Sequence, residues 1–132
     1  MSDILITSEY FGKFSPEARE LLCKAGHRVI DNPYGHKALT PEEIIPYAAK
    51  ADAMICDLER INKDVIDAAK KLKFMSRRGA GVDSVAVDYA AEKKIAVARA
   101  LGVVEPPVAE LVMAYILDFS RKIGVLNAHM HD

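Results

Sequence analysis

Short, unbroken apolar runs alternate with helix-patterned segments along most of this 132-residue chain. The runs are Ile4-Leu5-Ile6-Thr7, His27-Arg28-Val29-Ile30-Asp31, Ala53-Met54-Ile55-Cys56, Phe74-Met75-Ser76 and Ile95-Ala96-Val97. An apolar run without polar alternation reads as a strand buried on both faces, as in a parallel sheet covered by helices. Parallel strands need long crossovers, and the segments between the runs supply helices for them.

Those segments carry their own punctuation. Ser15 reads as an N-cap with Pro16 at the first helical position. Ala18, Leu21, Leu22 and Ala25 follow at helical spacing, and Gly26 closes the helix. Thr40-Pro41-Glu42-Glu43 is a capping box that opens a helix running to about residue 50. Residues 62–71 turn Val65, Ile66 and Ala69 inward, and residues 87–93 form another helix. Asn32-Pro33-Tyr34-Gly35 is a turn. No internal repeat or low-complexity tract interrupts the order. The pattern predicts an α/β, flavodoxin-like, doubly wound parallel sheet of about five strands, with a long helix after it. Ligands on such sheets sit beyond the carboxyl ends of the strands, here the loops 7–14, 57–61 and 77–83.

The last of these loops, Arg77-Arg78-Gly79-Ala80-Gly81-Val82-Asp83, is the strongest chemical signal. A glycine turn after a strand puts backbone N–H groups within reach of an anion. It is not a dinucleotide fingerprint, because Ser84 stands where the third glycine belongs. Arg77 is the candidate ligand of the two arginines, and Arg78 reads as a solvated neighbour. Asp83 is expected to fix the loop or cap the next helix. The final segment differs in kind. Glu105-Pro106-Pro107 starts a helix, and Leu111 to Leu117 are all apolar. A helix apolar all round needs cover on more than one side.

Composition narrows the classes. With 51% apolar and 28% charged residues the chain is an ordinary globular domain. A net charge of −1 gives no electrostatic case for nucleic acid or an acidic membrane surface. No apolar run approaches the roughly 20 residues that cross a bilayer. The N-terminus shows no secretory pattern, so the cytoplasm is the expected address. Cys23 and Cys56 both read as buried core thiols in a reducing compartment. His129, His131 and Asp132 form H-x-H-D, read as a disordered tail rather than a metal site, and no metal is expected. His27 starts a strand and His36 sits in a loop, neither with a partner. The first loop, Thr7-Ser8-Glu9-Tyr10, lacks the small-residue run that would cradle a flavin phosphate.

Several of these residues together carry a family resemblance. Arg77-x-Gly79-Ala80-Gly81-Val82-Asp83, then Ala90-Ala91, Ile95-x-Val97, Gly102, Val108-Ala109-Glu110 and Arg121-Lys122-Ile123 resemble the N-terminal part of the D-isomer-specific 2-hydroxyacid dehydrogenases. Asn32-Pro33-Tyr34-Gly35 and Leu39-Thr40-Pro41-Glu42-Glu43 resemble the phosphoglycerate dehydrogenase branch.

The resemblance implies a substrate-binding domain over 1–103. A crossing helix and tail over 104–132 would lead into an NAD-binding domain. It implies that backbone N–H groups of Ala80 and Gly81, in the turn made by Gly79, hold a substrate carboxylate, and that Arg77 neutralises charge. The family's catalytic residues lie outside this stretch, so none is assigned here. NAD(H) would serve the complete enzyme, and none is expected on this chain alone. There are departures. Asp57 stands in the third-strand loop where phosphoglycerate dehydrogenases often carry Arg-Ser. It joins the candidate substrate-facing residues, and its charge would repel a phosphate. Arg99-Ala100-Leu101-Gly102-Val103-Val104 replaces an Asn-Thr-Pro-Gly-x-Asn run. The expected partner is a small 2-hydroxy or 2-keto acid, and the expected assembly a homo-oligomer through the helix 107–123. The rival reading is a stand-alone flavodoxin-like binding module that self-associates through that helix.

Overall fold

The computed structural model describes residues 1–35 and 38–131 and divides into two compact units, Met1–Ala100 and Leu101–Asp132. His36 and Asp132 lie outside the described residues.

The first unit is a five-stranded parallel sheet in the order β2-β1-β3-β4-β5. The strands are β1 (Asp3–Ile6), β2 (Arg28–Ile30), β3 (Ala53–Cys56), β4 (Phe74–Arg77) and β5 (Ala96–Arg99). The crossovers are α1 (Glu17–Lys24), α2 (Pro41–Ala48), α3 (Lys63–Ala68) and α4 (Val87–Glu92). This is the predicted doubly wound fold. Its strand order reverses at β1, so the crevice outside β1 and β3 is the topological switch point.

Register sorts the side chains. Leu5, Met54, Met75 and Val97 lie in one row and face α2, α3 and α4. Ile44, Ala48, Val65, Ile66 and Ala90 close that core. The opposite row, Ile4, Ala53, Phe74 and Ala96, shares its face with α1, whose Leu22 borders a groove with Ile55 and Phe74. Cover on this face is partial, because Phe74 and Ala96 are exposed. The expectation of a sheet buried on both faces holds for one face only.

Local chemistry explains most boundaries. Thr40 Oγ1 accepts from Glu43 N while a Glu43 carboxylate oxygen accepts from Thr40 N, completing the predicted box. Asn62 caps α3 by accepting from Val65 N. Gly26, at φ +78°, ends α1 with the paired bonds of a Schellman turn: Gly26 N to Cys23 O and His27 N to Leu22 O.

Four readings need correction. Pro16, not Ser15, is the N-cap of α1, and Ser15 Oγ accepts only the nearby Glu17 N–H. The apolar spacing of Ala18, Leu21, Leu22 and Ala25 buries nothing fully, and Leu21 is 67% exposed. Cys23, on the same helix, is therefore an exposed thiol, whereas Cys56 is buried. Of the two roles expected of Asp83, fixing the loop or capping the next helix, the capping of α4 is absent. That helix has Ala86 at its N-cap and no side-chain cap bond.

The second unit consists of α5 (Glu105–Arg121) and α6 (Ile123–His131). Lys122 adopts a left-handed conformation, φ 54°, which ends α5. Asp118 Oδ1 then accepts from Gly124 N and starts α6. The expected tail around His129 is thus helical. The apolar residues of α5 (Leu111, Val112, Tyr115, Ile116, Phe119) are exposed. No described helix is long and apolar enough to cross a membrane.

Candidate functional site

The three loops nominated from sequence meet at the carboxyl ends of β1, β3 and β4. Ser8 Oγ donates to Asp57 Oδ2 at 3.1 Å, tying the first loop to the second. Arg78 donates to the same Asp57 oxygen twice, from Nε at 2.9 Å and Nη2 at 2.6 Å. Arg77 Nη1 reaches Asp57 Oδ1 at 3.5 Å. A parallel bridge between Ile61 and Val85 ties the second loop to the third a few residues on.

Asp57 is therefore not a bare acid facing the crevice. Its side chain is 15% exposed and sits between two guanidinium groups. The Asp57 charge is thus matched by both guanidinium groups, and the buried Glu59 carboxylate lies beside it on the Asp57 N–H. The expected repulsion of an incoming anion by Asp57 is countered on the spot.

The two arginines divide the work in a way sequence does not show. Arg77 is 10% exposed. Its Nη1 turns back to donate to the Arg78 carbonyl, beneath the glycine loop. A Cβ on Gly79 would lie 2.1 Å from that nitrogen, so the guanidinium occupies the space a side chain would need. Arg77 Nε is buried without a partner. Arg78 is the accessible cation, 44% exposed, with its guanidinium carbon 5.8 Å from the Tyr10 ring centre. It is held by Asp57 rather than loosely solvated.

The loop itself is pinned through its carbonyls. Gly79 O accepts from Ala100 N at 3.0 Å, and Ala80 O accepts from Arg99 Nη1 at 3.3 Å. The N–H groups of Ala80 and Gly81 make no hydrogen bond among the described residues. Asp83 lies against Gly81, its Oδ2 3.3 Å from where a Cβ would be. Two adjacent free donors beside the arginine pair can take a carboxylate, which accepts two N–H bonds in one plane.

Ser8, Tyr10 and Glu59 belong to the site and were missed by sequence reasoning. Glu59 is buried, and its Oε2 accepts from Asp57 N at 2.7 Å. The neighbouring Glu9 carboxylate holds the Tyr10 phenol above its usual range. Burial, then Glu59, pushes the Cys56 thiol up to about 12, so it stays protonated and inert at neutral pH. Among the described residues no group of His, Cys, Asp and Glu side chains could hold a metal ion.

The same loop does not suit a nicotinamide dinucleotide. Its glycines do not open a helix, since α4 begins only at Val87, and a pyrophosphate site needs that helix N-terminus.

The fold is an α/β doubly wound domain with a glycine turn after β4, beside the switch point between β1 and β3. Residues 4–127 match the sequence profile of the D-isomer specific 2-hydroxyacid dehydrogenase catalytic domain, and the chain belongs to that family. It is 38% identical over 93 residues to D-3-phosphoglycerate dehydrogenase of Methanocaldococcus jannaschii, covering 70% of this chain and 18% of that protein. It is 34% identical over 109 residues to hydroxypyruvate reductase of Thermotoga maritima, covering 82% of this chain and 34% of that one. Among solved structures, NAD+-bound 3-phosphoglycerate dehydrogenase of Entamoeba histolytica superposes with a TM-score of 0.75 at 28% identity, covering 89% of this chain and 38% of that chain. The chain thus spans between about a fifth and two-fifths of the length of these relatives.

Proposed function

We propose that this chain is the substrate-holding part of an NAD(H)-dependent D-2-hydroxyacid dehydrogenase of the phosphoglycerate dehydrogenase-like kind. One observation carries the reading: two adjacent free N–H groups, on Ala80 and Gly81, lie in the loop after β4 next to the Arg77 and Arg78 guanidinium groups. The donors take the carboxylate of a small 2-hydroxy or 2-keto acid. Gly79 permits the turn, Arg77 braces it from below, and Asp57 fixes both arginines. A fixed carboxylate orients C2 for reaction, which is the contribution a substrate domain makes to the rate. The hydride chemistry belongs to NAD(H), which this chain's own residues do not hold. Residues 1–103 act as the substrate domain, and 104–132 lead toward the part of the enzyme that carries the nucleotide.

The magnitudes fit a binding module. Two charge-assisted hydrogen bonds at about 2 kcal/mol each amount to about 4 kcal/mol, a millimolar Kd. The pure chain is expected to bind D-glycerate in that range and to consume no NADH with hydroxypyruvate. A measurable steady-state rate, or no binding well above the millimolar range, contradicts the proposal.

A second observation supports self-association. The helix expected over 107–123 is α5 (Glu105–Arg121), cut short at Lys122, and it presents Leu111, Val112, Tyr115, Ile116 and Phe119 to solvent, an apolar surface of the kind that marks an interface. A homo-oligomer through this helix is the expected assembly. The cytoplasm is the proposed address, supported by two free thiols, one of them exposed.

A further inference from the structure

We infer that Arg78, held by Asp57 and backed by Tyr10, is the specificity-determining residue of this site. It selects 2-hydroxy acids that carry one negative charge and a neutral hydrogen-bond acceptor on C3. The inference rests on the carboxylate reading of Ala80 and Gly81 and extends it to the other end of the substrate.

Position comes first. Arg78 immediately precedes Gly79-Ala80-Gly81, so its side chain and the free N–H pair belong to one loop. Unlike the buried Arg77, it is accessible. Asp57 occupies only its Nε and one Nη2 bond. The remaining guanidinium N–H groups have no partner among the described residues, and the Tyr10 ring lies alongside at 5.8 Å. Asp57 itself is anchored by Ser8 at 3.1 Å, so the cation is fixed rather than free to follow a ligand. With Asp57 already taking its ionic pairing, the remaining N–H groups are left for a hydroxyl or carbonyl oxygen.

Charge decides against a second anion. Three cations (Arg77, Arg78, Arg99) and three carboxylates (Asp57, Glu59, Asp83) surround the loop, so no cationic excess remains for a second anion. A further carboxylate or phosphate on C3 would compete with Asp57 for Arg78. It would also meet Asp83, whose carboxylate lies against Gly81. The acid that locks Arg78 in place is thus the element that rejects a dianion.

Three ligands that differ only at C3 test this: D-glycerate (hydroxymethyl), D-lactate (methyl) and tartronate (a second carboxylate). Affinities are read from the Ala80 and Gly81 amide resonances of the 132-residue chain. The unmodified chain is expected to prefer D-glycerate over both others by roughly threefold to tenfold. Arg78→Ala should erase the preference over D-lactate. Asp57→Asn should raise tartronate relative to D-glycerate by about threefold or more. Dispersed amide spectra confirm that each variant is folded, and Arg78→Gln serves if Arg78→Ala does not fold. Ala80 and Gly81 shifts with unchanged ligand ratios in the variants overturn this inference alone. No response of either amide to any of the three ligands overturns the carboxylate reading and this inference with it.

Discussion

Arg77 and Gly79 show how two residues two positions apart form one device. Sequence nominated both, because a glycine turn and an adjacent cation are local signals. It could not show that the guanidinium turns back under the turn and fills the space of the missing Cβ. That depends on Asp57, twenty residues upstream, and on the β3–β4 register that aligns Cys56 with Arg77. The consequence is specific. In Gly79→Ala the new methyl would sit 2.1 Å from Arg77 Nη1. A loss of about 1–3 kcal/mol in urea unfolding is expected, as for other overpacked sites. In the double variant with Arg77→Ala the clash is gone, so the combined loss should fall clearly short of the sum of the single losses. Additive losses would mean that the two do not share that space. Ser8, Tyr10 and Glu59 escaped sequence analysis for the same reason as the turned guanidinium. None carries a local motif; the fold brings Ser8 to Asp57 and Tyr10 to Arg78, while Glu59 reaches back only two residues to Asp57 N.

At the scale of elements, period and caps were legible and burial was not. The unbroken runs located all five strands, and the Thr40–Glu43 box located α2, because those signals act within a few residues. Exposed Leu21 and Cys23 on α1 show the limit. A helical apolar stripe tells which face is ready for cover, but not how much cover the molecule provides. The turn at Lys122 was hidden because a left-handed lysine leaves no signature of the kind glycine leaves. The helix α5 is the clearest case of a face awaiting a partner. Sedimentation should show concentration-dependent self-association of the chain. Replacing Leu111 and Ile116 by Asp should abolish it without unfolding the sheet unit. A strictly monomeric species at high concentration would remove the case for assembly through this helix.

For the whole molecule, family membership was legible because residues 77–110 carry several spaced signals rather than one glycine pair. The division of labour follows from chemistry. The sheet unit offers two free N–H donors in the loop after β4, and the glycines of that loop do not open a helix. The proposed role of the chain is therefore to hold the acid, with the hydride moved by NAD(H). Amide-resolved titration with D-glycerate tests that account most directly. It predicts saturable shifts centred on Ala80 and Gly81, with Arg78 and Asp57 responding and α5 silent. Shifts centred elsewhere, or none in the folded chain, would contradict it.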